Sequence, residues 1–447
     1  MFQHLAPYHG RAPLPAKTRP LVRYRKEEFG YLVAFPDGHM GMYDDGVLPL
    51  AQAGLSQEEC AGHLLHTLRV SREFHFSAPC MAWVEITRRC NLRCPHCFVE
   101  GGIARSSELT TKRIYSLLDE WAEMGVFSVV ITGGEPSVHR DFLSIVNYAW
   151  ELGFVIGIAS NAVPLTDRVL AQIPHDDVIV SVSLDGIHDQ GKYKDESDFS
   201  YVTRRLLEIR ERGFNTSIMT TTTHDNVRDL NKIITWAVDH DISLRSVPFV
   251  PMGRGARYRE LANTTADVDL AAEFWIAEEQ WERVKDKTLG LCAGKVLNFL
   301  LTMVFATRRC MSGRGLAYIE SGGDVYPCTT CSGNKVLRAG NVMADSFKDI
   351  WNADWDIRQI TWDNFKETCK GCPINDDKYY CSSRCPSQSS VYNGRNIFTG
   401  CGSTEFQRRS VLRREELFRE RVMEEPLVPV GDGIPHPDPA SHAEGSR

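Results

Sequence analysis

The sequence predicts an α/β protein organised around a parallel sheet, and three observations lead there. Between Ala82 and Arg257, short apolar, β-prone stretches alternate six times with helical patterns. Parallel neighbours need a helical crossover, so six such units imply one parallel sheet. The flanks read differently: a strand–turn–strand pattern and a helix lie before residue 75, and eight of the fourteen cysteines fall within 310–401. A chain of 447 residues, 43% hydrophobic and 24% charged, has the make-up of a globular protein of about two to three domains. Its 51 basic against 58 acidic side chains, a net charge of −7, argue against nucleic acid as a partner.

Residues 1–20 read as a flexible leader without the apolar core of a signal peptide, and no apolar run of 18 residues occurs to span a membrane. A cytoplasmic location with no membrane partner is expected, where cysteines stay thiols or become metal ligands. In 21–75, Phe29 to Phe35, the turn Pro36-Asp37-Gly38 and Met40 to Tyr43 predict a β-hairpin. The capping box Ser56-Gln57-Glu58-Glu59 then opens a helix carrying Leu64, Leu65 and Leu68. This unit is either a small recognition module with a free strand edge or a decoration packed on the larger domain.

From about residue 80 to 257 the β/α series runs in order. Trp83 to Thr87 is a strand, and a helix with Ile114, Leu117, Leu118 and Trp121 on one face ends near Gly125. Strand Phe127 to Thr132, helix Phe142 to Leu152, strand Phe154 to Ala159 and strand Val178 to Ser183 follow. Helix 198–212, strand 215–221, helix 229–240 and strand 243–249 complete it. Residues 258–309 read as a helical linker and 310–402 as a cysteine-rich domain. A highly charged helix is expected over 403–425 and a proline-rich disordered tail over 426–447. Ligands of parallel sheets bind beyond the carboxyl ends of the strands, which directs attention to the loops there.

The sharpest motif follows the first of these strands: Cys90-Asn91-Leu92-Arg93-Cys94-Pro95-His96-Cys97. Three thiolates in one loop can close on a metal centre yet leave a [4Fe–4S] cubane one iron short of a protein ligand. A vacant metal position is the place for a reactive ligand. The alternatives are half of a structural zinc site or free buried thiols. After the second strand comes Thr132-Gly133-Gly134-Glu135-Pro136, where glycines admit a ligand close to the backbone and Glu135 can accept bonds from an ammonium group. Far downstream, Cys369-x2-Cys372 with Cys381-x3-Cys385 has the pairing of a four-cysteine zinc site, which leaves Cys310, Cys328 and Cys401 without a role.

Taken together, Cys90-x3-Cys94-x2-Cys97 and the Gly-Gly-Glu-Pro one unit later resemble the radical S-adenosylmethionine (radical SAM) superfamily over roughly residues 80–255. The resemblance implies a partial (β/α)6 barrel in which Cys90, Cys94 and Cys97 hold a [4Fe–4S] cluster and the amino and carboxylate groups of SAM chelate its open iron. By the same resemblance His96 lies near the adenine, and Gly133, Gly134 and Glu135 take the methionine amine. Ser183 and Asp185, in Ser183-Leu184-Asp185-Gly186, resemble the segment touching the methionyl carboxylate or ribose. Lys192 stands where related enzymes commonly have arginine, in a shorter segment. Ser160 and Asn161 are candidates for the nucleoside pocket, with an ordinary turn as the alternative.

The series Cys310, Cys328, Cys369, Cys372, Cys381, Cys385 and Cys401 resembles the SPASM extension of these enzymes, which binds two auxiliary [4Fe–4S] clusters. The resemblance assigns Cys310, Cys328 and Cys385 to the inner cluster and Cys369, Cys372, Cys381 and Cys401 to the outer. The gap from Cys372 to Cys381 is longer than the family's usual one, and Cys331 can supply the inner cluster's fourth ligand, unless that iron stays open for substrate. Cys60, Cys80 and Cys292 fit neither pattern and are expected to be structural.

Chemistry of this kind splits SAM into methionine and a 5′-deoxyadenosyl radical, which abstracts hydrogen from substrate, with an electron donor such as flavodoxin or ferredoxin. The N-terminal unit resembles a degenerate precursor-peptide recognition element, to whose exposed edge near residues 29–43 a leader peptide would add a strand. Oxidative modification of a ribosomally made precursor peptide, by cross-link or thioether, is the expected function. The alternatives are a small-molecule enzyme acting on a haem precursor or a sugar, anaerobic sulfatase maturation, and a non-enzymatic electron carrier. Thr329 follows Cys328 where sulfatase maturases have an Asp, and a carrier would not require Gly133-Gly134-Glu135.

Overall fold

The computed structural model describes residues 22–35, 40–65, 74–187, 199–276 and 310–360. Two sheets organise them. A small antiparallel sheet has the order β1 (Arg23–Glu27), β2 (Gly30–Ala34), β3 (Met40–Tyr43). A nine-stranded sheet contains β4 (Met81–Glu85), β5 (Ser128–Thr132), β6 (Val155–Ser160), β7 (Val178–Ser183), β8 (Asn215–Thr222) and β9 (Ser243–Pro248), each parallel to the next. These are the six strands of the β/α series, within one or two residues of the sequence expectation.

Helices between the strands cover one face. Helix Thr111–Met124 starts where Thr110 accepts a hydrogen bond from the Arg113 N–H, and it ends at Gly125, whose φ of +76° suits the left-handed position that stops a helix. Its buried stripe of Ile114, Leu117, Leu118 and Trp121 lies in one core with Ala82, Val84, Val129, Ile131, Ile156 and Ile158. Each such large side chain contributes roughly 1.5–3 kcal/mol on burial. Alternate strand residues point the other way. Trp83 and Val130 therefore meet the N-terminal sheet, packed with Leu32, Ala34, Phe76 and Met81.

In that N-terminal unit the expected hairpin forms, β2 antiparallel to β3, and a third strand joins it. Gly30–Ala34 is the central strand, paired on both sides, because Arg23–Glu27 forms a strand that its polar sequence does not announce. The charges are inward for a reason. Arg23 donates to the carbonyls of Phe127 (2.8 Å) and Gly153 (2.9 Å), and Arg25 to those of Gly125 (3.0 Å) and Pro79 (3.1 Å). Both guanidinium groups also lie over the Phe127 ring. The capping box at Ser56 does form, but the helix it opens, Gln57–Cys60, stops after one turn. Leu64 then pairs with Tyr43 and the Leu65 N–H bonds the Met42 carbonyl at 2.8 Å, so neither continues a helix. The edge proposed near residues 29–43 thus shifts: among the described residues no strand pairs with the outer side of β1, where the Ser77 hydroxyl reaches the Lys26 carbonyl at 3.5 Å, and β3 is covered at Met42 and Tyr43.

The cysteine-rich region joins the main sheet. Strand β10 (Leu316–Ile319) lies parallel to β4, and β11 (Asp324–Tyr326) and β12 (Gly340–Asn341) extend the same sheet antiparallel beyond it. Of the predicted linker, residues 258–276 are described; they hold a 3-10 turn, Arg259–Leu261, and helix Thr265–Ile276. The expectations for 1–20, Leu68, the rest of the linker, 403–425 and 426–447 lie outside the described residues, as do Lys192, Cys292, Cys369, Cys372, Cys381, Cys385 and Cys401.

Candidate active site

The loop after β4 carries Cys90, Cys94 and Cys97 as partly buried free thiols. Backbone N–H groups already point at two of the sulfurs: Leu92 to Cys90 Sγ and Gly101 to Cys97 Sγ, both at 3.3 Å. Such donors suit a thiolate ligand and help set a cluster's potential. Burial pushes the metal-free Cys90 thiol up to about 11, so proton loss there depends on a bound metal. Among the described residues no three His, Cys, Asp or Glu side chains close on a single metal ion. A cubane distributes its thiolates over separate irons and does not ask for that arrangement. The donor set and its amides therefore fit a [4Fe–4S] cluster.

The loop is held from three sides. From β5, the Gly134 N–H bonds the Thr87 carbonyl (2.8 Å) and the Glu135 N–H the Arg89 carbonyl (2.9 Å). A Cβ on Gly133 would stand 2.3 Å from the Thr87 carbonyl oxygen, and one on Gly134 2.5 Å from that of Arg88. On this side the close approach that needs glycine is made by the chain's own backbone, the stem of the cysteine loop, where the sequence suggested a ligand.

From β6 and β7 come the second set of ties. The buried Glu135 carboxylate accepts bonds from Ser160 Oγ (2.9 Å), the Asn161 N–H (2.7 Å), the Ser137 N–H (3.1 Å) and the Ser137 hydroxyl. Burial raises its pKa, and these donors oppose the rise. Asn161 Nδ2 reaches Asn91 Oδ1 at 2.9 Å, inside the cysteine loop. His96 Nε2 lies 3.4 Å from Asp185 Oδ2, while Asp185 Oδ1 accepts the Thr221 N–H at 2.8 Å. Ser183 closes β7, two residues before Asp185. Glu135, Ser160, Asn161, His96 and Asp185 are thus brought together around Cys90–Cys97, as expected of one site.

Sequence reasoning missed the third tie. Past β9, Arg254 donates to the carbonyls of Cys94 (2.9 Å) and Gly101, and its own N–H bonds the Cys97 carbonyl at 3.0 Å. The available signal was its position beyond a strand's carboxyl end. It also missed a buried cluster behind the loop. Glu85 Oε2 accepts from Arg88 Nε (2.7 Å) and Glu85 Oε1 from the Tyr318 hydroxyl, and Arg88 also lies 3.2 Å from Glu320 Oε2. Glu320 further receives Arg105 (2.9 Å) and the Ser332 hydroxyl (2.5 Å). Burial raises the pKa of Glu85 and drives that of Tyr318 far up.

Of the second cysteine series, Cys310, Cys328 and Cys331 are described and lie together. Cys328 Sγ stands 3.5 Å from Cys331 Sγ and 3.1 Å from Thr330 Oγ1, and Cys310 Sγ 3.3 Å from Ser312 Oγ. Hydrogen bonding, foremost from Cys331, lowers the Cys328 thiol to about 6, while burial raises Cys310. Because β10 runs parallel to β4, Cys310 sits at the amino end of the sheet and Cys90 at its carboxyl end. The five-residue strand β4 that lies between these two ends spans about 17 Å.

A family model described as the radical SAM superfamily matches residues 84–237, and one described as an iron-sulfur cluster-binding domain, SPASM, matches 310–373. The chain is 30% identical to the mycofactocin maturase MftC of Mycobacterium ulcerans over 308 residues, 67% of this chain and 82% of that one. It is 28% identical to an AdoMet-dependent heme synthase of Oleidesulfovibrio alaskensis over 333 residues, 68% and 82% of the two chains. Its fold matches that of Streptococcus suis SuiB bound to precursor peptide SuiA, with a TM-score of 0.61, 14% identity and coverage of 86% and 98%. With the cysteine loop at the carboxyl end of β4, its ties to β5, β6, β7 and β9, and these matches, the chain belongs to the radical SAM superfamily, as an enzyme carrying a SPASM iron-sulfur cluster-binding domain.

Proposed function

We propose that this enzyme oxidatively modifies a ribosomally made precursor peptide. The observation that carries the reading is the N-terminal three-stranded sheet, docked on the barrel with β1 as an edge strand that no other strand pairs among the described residues. Similarity to a maturase, and a shared fold with a protein crystallised with its precursor peptide, support it. The carbonyls bound by Arg23 and Arg25 precede β4, β5 and β6, so the sheet sits at the amino rim. A peptide held there must cross about 17 Å of strand to reach the Cys90 loop, which takes about five extended residues.

Bound clusters and SAM supply one-electron cleavage of SAM and a carbon radical that takes hydrogen from substrate. In this reading Cys90, Cys94 and Cys97 hold the SAM-binding cluster. Cys310, Cys328, Cys331 and Cys385 hold the inner auxiliary cluster, and Cys369, Cys372, Cys381 and Cys401 the outer. Gly133, Gly134 and Glu135 face the methionine amine, with His96, Ser160, Asn161, Ser183, Asp185 and Lys192 toward the rest of SAM. Arg254 and the Asn161–Asn91 bond keep the loop in place. Three clusters predict about twelve irons per chain and about eight after replacement of Cys90, Cys94 and Cys97 by Ala. A wild-type value near four would reject that count.

Mass spectrometry of candidate precursor peptides, incubated anaerobically with enzyme, SAM and reductant, tests the substrate. A loss of hydrogen matched by 5′-deoxyadenosine is expected, and Tyr24→Glu on that edge strand is expected to weaken peptide binding. Deleting 1–75 is a poor test, because it would strip the cover from Phe127, Val130 and Met81. The similarity to a heme synthase favours a second reading, action on a haem precursor. Turnover of such a compound, with every peptide left unchanged, would establish it instead.

A further inference from the structure

Two arginines lie out of water beside the second cysteine site. Arg314 is 1% exposed and Arg358 3%. Arginine is almost never buried so deeply unless it is paired. The other two buried arginines obey that rule, Arg25 with Glu27 and Arg88 with Glu85 and Glu320. Arg358 does not. Its Nε donates to the Gly313 carbonyl (2.7 Å) and its Nη1 to that of Ala353 (2.9 Å), its buried Nη2 meets no acceptor, and no carboxylate among the described residues forms an ion pair with it. The guanidinium lies over the rings of Trp351 and Trp355, 4.8 and 4.7 Å from their centroids. Arg314, donating to the carbonyls of Phe74 (2.6 Å), Ile360 (3.2 Å) and Arg358, brings a second positive charge to the same place. Burial and that neighbour together lower the Arg358 pKa to about 9.

Both groups are fastened to the turn that follows Cys310. Arg358 holds the Gly313 carbonyl, three residues on, and the Arg314 N–H bonds the Met311 carbonyl at 3.0 Å. The charge of Arg314 reaches the Cys310 sulfur, whose thiol it pulls down against the effect of burial. Ser312 bonds both Cys310 and Cys328, which ties the same turn to the rest of the cysteine group. A [4Fe–4S] core held by thiolates is an anion and gains one more negative charge on reduction, so a fixed charge nearby shifts its potential. With Trp351, Trp355 and Phe76 all buried here, little water is present to screen that charge.

We propose that Arg358, supported by Arg314, is the counter-charge of the cluster held by Cys310, Cys328 and Cys331 and raises its reduction potential. The inference rests on the assignment of those cysteines to a [4Fe–4S] cluster and not on the peptide reading. Reduction there takes up one electron and no proton, because Arg358 already carries its charge at neutral pH. The residue acts through its field and touches no reacting atom. A cluster biased in this way is a better resting place for an electron than the same cluster in a neutral pocket.

Anaerobic redox titration of the reconstituted full-length enzyme, followed by electron paramagnetic resonance, tests this; the same titration with Cys90, Cys94 and Cys97 replaced by Ala picks out the auxiliary signals. Arg358→Gln is expected to lower the reduction equilibrium constant of one auxiliary cluster about tenfold, which is about 59 mV for one electron. Arg358→Lys, which keeps the charge, should stay within about twofold of wild type. An equal fall in both variants overturns the proposal, since packing and not charge then sets the potential. If Arg358→Gln does not retain its auxiliary iron, His75→Glu decides the matter. His75 stacks on Trp351 and feels the charge of both arginines, so a carboxylate there supplies a counter-ion from the protein and should lower the same constant about threefold, while His75→Gln leaves it unchanged. A constant within about twofold of wild type in the charge-altering variants overturns the proposal alone. A wild type without any auxiliary signal overturns the cluster assignment and the proposal with it.

Discussion

Replacing Gly134 by Ala puts a single methyl group where the structure has backbone. The new Cβ would lie 2.5 Å from the Arg88 carbonyl oxygen, 2.6 Å from that of Arg89 and 2.9 Å from the Arg89 carbonyl carbon. An ordinary contact needs roughly 3.3 Å, so the stem of the cysteine loop must retreat by about 0.8 Å, and no flexible side chain can yield instead. Overpacking of this kind costs about 1–3 kcal/mol. Two hydrogen bonds are strained as well, Gly134 N–H to Thr87 and Glu135 N–H to Arg89, each worth about 1 kcal/mol. A destabilisation of about 3 kcal/mol is therefore expected, together with loss of about four irons per chain as Cys90 and its neighbours move. Chemical denaturation of the anaerobic protein gives the first quantity and iron analysis the second. A variant with unchanged midpoint and full iron would show that the stem is not pinned by this contact.

Glu320→Ala is expected to cost about 3 kcal/mol, the low end for breaking a buried ion pair, because Arg88 keeps Glu85 as a partner; Glu320→Gln, which retains the Ser332 bond, should cost less in the same denaturation assay. Arg254→Ala should release about four irons from the Cys90 loop and leave the auxiliary iron in place, read by iron analysis and by electron paramagnetic resonance. The His75 pKa is lowered from 6.5 to about 4 by burial, with Arg358 and Arg314 adding to the shift. Its neutral form is favoured in the folded state, so its contribution to stability is complete above about pH 6.5. That contribution drains away as pH falls toward about 4. The difference in unfolding midpoint between wild type and His75→Phe should therefore be constant above pH 6.5 and shift against wild type as pH falls from 6.5 toward 4; curves that stay parallel across that window would refute the assignment.

How far the sequence reveals the fold depends on where the stabilising partner lies. Strand Val178–Ser183 and helix Thr111–Met124 declare themselves because their apolar periodicity meets a local core, and Gly125 supplies a local stop. Arg23–Glu27 is opaque for the opposite reason. Its strand is secured by guanidinium bonds to carbonyls about a hundred residues away, and a run such as Arg-Tyr-Arg-Lys-Glu has no hydrophobic alternation to betray it. Leu64 looks helical after a capping box, yet Tyr43 claims it for a bridge. At the site, Cys90, Cys94, Cys97 and Glu135 are legible through motif spacing. Arg254, Asn91 and Glu320 are not, because their roles exist only after distant strands have paired.

The least legible pairing, β4 with β10, is also the one that connects the two cysteine sites. Tyr318 stands beside Trp83 in register, and beyond the strand ends Glu85, Arg88 and Glu320 meet out of water. Arg88 lies two residues before Cys90 and also donates to the Val99 carbonyl, within the cysteine loop. Glu320 takes the Ser332 hydroxyl, one residue after Cys331. A displacement at either cysteine segment must therefore break a bond to a buried charge or carry the other segment with it. Close-packed ionic contacts resist the first course, since an orphaned buried charge costs about 3–5 kcal/mol. The spacing between the two cysteine sites is thereby set by the sheet and this ion cluster together, leaving little freedom to the loops that carry the cysteines.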